Sequence, residues 1–125
     1  MSAIHWFEIP VTDIERAQKF YSTILDVEIP IMDMRAQMGS MLGAFPAHGG
    51  VGGMLVQNSQ FGYEPSKVGT LVYLTVGNED LNTALSKVEA AGGKVTLPKT
   101  AMGENGFSAW IEDTEGNKVG LFSNV

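Results

Sequence analysis

The chain contains no cysteine. That absence removes disulfides, thiolate nucleophiles and every zinc site built on sulfur. Cations are sparse as well: eight Lys and Arg stand against fourteen Asp and Glu, for a formal charge of −6. Neutralising a phosphate backbone needs clustered Lys and Arg, and these eight are scattered, so no nucleic-acid partner is expected. The acidic field mildly favours a cationic small ligand. No apolar run approaches the roughly 18 residues of a membrane span, so no membrane partner is expected. The opening residues, Met1 to Trp6, carry neither the basic patch nor the apolar block of a signal peptide, and a cytoplasmic location is expected. His5 and His48 are the only histidines. Two isolated histidines make no ligand cluster, and both are read as structural or solvated.

What the chain does contain is one segment that occurs twice. Trp6-Phe-Glu-Ile-Pro-Val11, with a helix opening at Thr12-Asp13, is echoed by Leu71-Val-Tyr-Leu-Thr-Val76 and a helix opening near Asn78–Asp80. Each copy reads strand, turn, amphipathic helix, then short strands. Repeated supersecondary units bury their apolar faces by pairing, which makes the concave surface between them the place to seek chemistry.

Along residues 4–11 both alternating faces are largely apolar, so the first strand is expected to be covered on both sides. Thr12 with Glu15 has the spacing of a capping box, and Ile14, Ala17, Tyr21, Ile24 and Leu25 form a buried stripe. Asp26 ends that helix in a left-handed turn. Strands are expected over Val27–Met34, Ala36–Phe45 and Met54–Val56, with a loose connection through Gly49–Gly53. That connection has neither the helix nor the lysine of a phosphate loop. After a polar linker over Asn58–Gly69 the plan repeats. Leu71–Val76 is a strand, and Leu81, Ala84, Leu85 and Val88 mark a helix ended by Gly92-Gly93. Lys94–Leu97, Phe107–Glu112 and Lys118–Phe122 follow as strands, with a hairpin turn at Asp113–Asn117. The fold class is α+β. Residues 1–125 form a single domain of two βαβββ modules, about 1–57 and 70–125, joined by a linker over 58–69. Their eight strands make a curved mixed sheet, an open barrel with helices outside.

Trp6-Phe-Glu-Ile-Pro-Val-Thr-Asp13 with Ala17 and Phe20-Tyr21, then Gly69-Thr-Leu-Val-Tyr73, Ala90-Ala-Gly-Gly-Lys94 and Asp113-Thr-Glu-Gly-Asn117 with Gly120-Leu121, resemble the vicinal oxygen chelate superfamily. That superfamily includes glyoxalase I, bleomycin-resistance proteins and extradiol dioxygenases, and the resemblance is nearest to its small glyoxalase-related branch. The resemblance implies one His, Gln or Glu metal ligand on the first and last strand of each module. In this chain those positions are Trp6, Gly53, Leu71 and Gly120, none with a suitable donor. A frame shifted by one residue would offer His5 instead, but would turn Glu8 towards the helix with Trp6, against the apolar pattern. No metal and no cofactor are expected. The resemblance also implies a homodimer.

On this frame Glu8 shares the concave face with Trp6. Its apolar surroundings would desolvate it and raise its pKa, as suits a general base. The plainer alternative is a buried structural carboxylate paired with Arg35 or Lys99. Trp6 and Tyr73, from opposite modules, with Phe122 and Trp110, would form a stacking wall, although core packing explains the last two equally well. Tyr63 and Pro65 would cover the cleft mouth. Met32, Met34, Met38, Met41 and Met54 would give an adaptable apolar wall or simply fill the core. Asp113, Glu115 and Asn117 read as hairpin chemistry. The expected ligand-binding residues are therefore Trp6, Glu8, Tyr73, Tyr63 and Phe122, with Glu8 as the candidate catalytic group. The function expected is binding of a small organic molecule without metal. The alternative is a glyoxalase-related lyase or isomerase, either metal-free with Glu8 as base or divergently metal-dependent.

Overall fold

A computed structural model describes residues 2–125. Helix α1 (Ile14–Leu25) starts where Asp13, in extended backbone, turns its carboxylate back to accept from the Arg16 N–H. Asp13 is therefore the cap, and the expected Thr12–Glu15 box does not form. Thr12 is taken by a distant group: its N–H and its hydroxyl both donate to Glu115 Oε1 at 2.9 Å. The stripe buries Ile14, Ala17, Phe20, Tyr21 and Ile24, while Leu25 is only partly buried. Asp26 closes the helix at φ 54°, in the left-handed turn expected of it. Helix α3 (Leu81–Val88) is capped by Asp80 and buries Leu81, Ala84 and Val88. A single helical turn, α2 (Arg35–Met38), lies between them in sequence.

Module one supplies β1 (Trp6–Pro10), β2 (Ile31–Met34), β3 (Ser40–Ala44) and β4 (Gly52–Gln57). Module two supplies β5 (Tyr73–Thr75), β6 (Lys94–Ala101), β7 (Phe107–Glu112) and β8 (Lys118–Ser123). Several bounds differ from those the sequence suggests. The strand expected from Ala36 gives way to α2, and β4 reaches back to Gly52. β5 keeps only three residues, and β6 runs through Pro98 to Ala101. The proline is tolerated because β6 is an edge strand whose pairing with β7 is broken by bulges.

Each module forms its own sheet, in the orders β1-β4-β3-β2 and β5-β8-β7-β6, with the first strand parallel to the last and the other pairs antiparallel. The architecture is thus two βαβββ modules, as expected. The eight strands nevertheless remain two sheets, because the inner edges β1 and β5 are not hydrogen-bonded to each other. β1 is consequently covered on one face only: Ile9 and Val11 are buried, whereas Ile4, Trp6 and Glu8 are exposed.

One core runs through both modules, joining Ile14, Phe20 and Tyr21 to Leu81, Ile111 and Leu121. A polar clasp sits at its end. The Tyr21 hydroxyl donates to Asp113 Oδ2 at 2.6 Å, and Asn117 Nδ2 donates to the Pro10 carbonyl at 2.7 Å. Asn117 Oδ1 accepts from the Ser66 N–H. The Glu115 side chain, fully buried, accepts from the Thr12 and Asp13 N–H groups and from Arg16 Nε at 2.7 Å. The turn thereby satisfies N–H groups at the mouth of α1, where the helix dipole favours an anion. It is a hairpin turn, as expected, and also the joint between the modules.

Burial alone would push the Glu115 carboxyl up, but the Arg16 guanidinium, the Thr114 hydroxyl and both donors of Thr12 outweigh it and hold the pKa at about 2. Burial, reinforced by Asp113, raises the Tyr21 phenol well above its usual value, so it stays a donor. The folded-state value for Glu115 lies below the ordinary 4.5. Its contribution is therefore complete above that pH and lost as pH falls towards 2. Glu115→Gln should cost about 1–3 kcal/mol at pH 7, the usual loss for a hydrogen bond to a buried charge. The gap between variant and wild type in thermal unfolding should shrink as pH is lowered through this window. A constant gap would remove the carboxylate from the account.

Candidate functional site

The gap between the β1 and β5 edges is a cavity of about 950 Å³. Trp6, Glu8 and Pro10 line it from module one, and Leu71, Tyr73 and Lys118 from module two. A largely apolar concavity of this size matches the pockets that hold drug-sized molecules. Trp6 and Tyr73 are 44% and 47% exposed, so two aromatic faces from opposite modules are available to a ligand.

Both rings lie over glycine. A Cβ on Gly52 would come within 2.8 Å of the Trp6 ring, and a Cβ on Gly120 would overlap the Tyr73 ring. Over Gly120 the Tyr73 hydroxyl meets Trp110, whose Nε1–H donates to it at 2.9 Å. The facing of Trp110 is thereby settled: Tyr73, Gly120 and Trp110 are register partners on one face of the second sheet. The Lys118 ammonium sits 3.7 Å from the centre of the Trp110 ring. Two positions before Gly120 on the same strand face, Lys118 is the member of this site that the sequence reading omitted. Period-two spacing from Gly120 would have found it.

Glu8 is exposed and not desolvated as expected, because no second sheet closes over β1. Its partner is neither Arg35, which pairs with Asp33 at 2.7 Å, nor Lys99, which pairs with Asp80 at 2.9 Å. The Tyr63 hydroxyl instead donates to Glu8 Oε1 at 2.6 Å, and that bond, with burial second, raises the Tyr63 pKa. Tyr63 thus reaches the cleft through Glu8 and is not itself among the lining residues. Phe122 shares the strand face of Gly120, but its ring stands over Gly106, outside the cavity. His5 is exposed ahead of β1 and does not line the cavity, while His48, also exposed, stands at the cavity rim. The methionines form no single wall, since Met41 packs against the core and Met32 and Met38 are exposed.

Two equivalent backbone bonds fix how the modules correspond. The Val11 N–H donates to the Val56 carbonyl and the Val76 N–H to the Phe122 carbonyl, both at 2.9 Å. Two residues before those acceptors stand Met54 and Gly120. Met54, not Gly53, is therefore the counterpart of Gly120. Gly53 faces the helix layer, where a Cβ would collide with Phe7. The corrected set is Trp6, Met54, Leu71 and Gly120. It offers no oxygen or imidazole donor, and a lone thioether does not suit the divalent ions such sites hold. Among the described residues no three His, Asp or Glu side chains converge as a metal site. The residues do not fit the family's metal.

A family model described as the Glyoxalase/Bleomycin resistance protein/Dioxygenase superfamily matches residues 3–121. No curated protein matches the chain. Among solved structures, a member of that superfamily from Sphaerobacter thermophilus is similar at 21% identity and a TM-score of 0.69, covering 98% of both chains. An antibiotic binding protein from Streptomyces sp. CB03234 is similar at 22% identity and a TM-score of 0.66, covering 98% of this chain and 96% of that one. A glyoxalase I mutant from Zea mays is similar at 23% and 0.72, covering 95% of this chain and 45% of that one. At such identities the likeness is one of fold.

Gly120→Ala should displace the Tyr73 ring and break its bond with Trp110. The expected result is a loss of about 1–3 kcal/mol from overpacking, with an altered tryptophan emission spectrum. Unchanged emission would mean that the ring does not depend on the glycine.

Proposed function

The chain belongs to the Glyoxalase/Bleomycin resistance protein/Dioxygenase superfamily, and on that premise we propose that it binds a flat, largely apolar organic molecule between its two modules without a metal ion. The observation that carries this reading is the pair of half-exposed aromatic faces, Trp6 and Tyr73, which line one cavity from opposite modules. Stacking on such faces needs no electrophile, and each aromatic contact contributes about 0.5–1.5 kcal/mol beyond the area it buries. The likeness in fold to an antibiotic binding protein supports binding of a small organic molecule.

The expected assembly is a homodimer that covers the exposed apolar side chains Ile31, Met32 and Met38, located in the cytoplasm. Light scattering should give twice the chain mass of 13.4 kDa. Titration of the protein with planar polycyclic aromatics, antibiotics among them, should quench tryptophan emission with dissociation constants below millimolar. Trp6→Ala should weaken binding by about tenfold, equivalent to roughly 1.4 kcal/mol. Protein incubated with Zn, Ni, Mn, Fe or Co and then desalted should retain far less than one equivalent. Stoichiometric metal, or no binding across the panel, overturns the reading.

A second reading rests on Glu8, the only carboxylate lining the cavity among the described residues. Oriented by Tyr63 and lining the same cavity as Tyr73, it would abstract a proton beside a carbonyl while the Tyr73 hydroxyl stabilises the developing oxyanion, as in a lyase or isomerase. Glu8→Gln should then abolish turnover of any substrate found. Full turnover by that variant excludes it.

A further inference from the structure

The two walls of the cleft differ in polarity, and we infer that the module-two wall selects ligands carrying an anionic or strongly accepting group. The inference rests on the binding reading above and names the chemistry of its ligand. Lys118 is the only lysine or arginine lining the cavity, and it has no carboxylate within ion-pair distance among the described residues. Its cross-strand neighbour Glu112 is engaged at 3.2 Å by Lys67, so that acid is already balanced. The Lys118 ammonium instead rests on the Trp110 ring, which holds it in place without neutralising it.

The direction of the Tyr73 hydrogen bond adds a second donor. A phenol has one proton to give, and its oxygen accepts. Tyr73 uses the oxygen to accept from Trp110 Nε1 and donates to nothing among the described residues. The bond holds the ring over Gly120 and leaves the proton for a ligand. A cation and an oriented O–H on the same wall recognise a carboxylate, sulfonate, phenolate or quinone oxygen. Charge-assisted bonds of this kind are roughly twice as strong as neutral ones. The opposite wall presents Glu8, an acceptor that repels the same group, so the ligand's acidic end is directed towards module two. The overall charge of −6 would repel an anion, and the local arrangement of Lys118 and Tyr73 reverses that preference inside the cleft.

The test uses two naphthalene dyes of similar shape, the anionic 1-anilinonaphthalene-8-sulfonate and the neutral N-phenyl-1-naphthylamine, titrated by fluorescence against the full chain. The sulfonate should bind about tenfold more tightly than the neutral dye. Lys118→Met should reduce that ratio about tenfold, Lys118→Arg should keep it, and Tyr73→Phe should lower it about threefold. Trp6→Ala should weaken both dyes, which locates them in the cleft. A ratio unmoved by Lys118→Met overturns the inference while leaving the binding reading intact. Failure of both dyes to bind, or indifference of both to Trp6→Ala, overturns the two together.

Discussion

The architecture depends on one carboxylate placed at the mouth of one helix. Glu115 belongs to the last hairpin of module two, yet its oxygens meet the N–H groups that open α1 in module one. A buried carboxylate without partners would cost several kcal/mol, so this contact is favourable only when the modules dock in register. Tyr21 with Asp113 and Asn117 with the Pro10 carbonyl impose the same register from either side. Apolar burial drives the modules together without direction, and the clasp fixes their relation.

From that relation the cleft follows. Docking through α1, α3 and the turn leaves the inner edges β1 and β5 facing across a gap, with alternate side chains of each strand turned into it. Glycine then decides what those side chains do. Gly52 and Gly120 let Trp6 and Tyr73 lie flat on their sheets, where larger residues would force the rings to swing away. At Gly120 the space that a side chain would fill is taken by the aromatic ring of the neighbouring strand.

The repeat, the two helix stripes and the closing turn were legible in the sequence because each is a local pattern with a fixed period. The strand bounds were less so. Ala36–Phe45 has strand-like composition, but a helical turn at Arg35–Met38 interrupts it. The strand expected over Lys94–Leu97 runs on through Pro98 to Ala101, because an edge strand accommodates the proline. The box at Thr12 and Glu15 failed because a residue a hundred positions away competes for the same N–H, and no local pattern records that. In the site, Trp6, Glu8 and Tyr73 were visible through strand alternation, and Tyr63 was visible as a linker aromatic. The assignment of Gly53 was off by one residue, which in a strand means the opposite face. Lys118 lay within reach of period-two spacing from Gly120, but no local pattern records that its ammonium rests on the Trp110 indole.

The unbonded seam between β1 and β5 has a consequence for how such a pocket changes its calibre. Within a sheet, strand spacing is quantised by the hydrogen-bond ladder at about 4.8 Å and cannot be adjusted by side-chain volume. Across this seam no ladder exists, so the distance between the Trp6 wall and the Tyr73 wall is set by how α1 rests on α3 and by the interior residues beneath them. Substitutions remote from any bound molecule, such as an exchange at Ala17 or Ala84, would therefore move the walls by fractions of an ångström. Breadth of recognition is in that sense a property of the core.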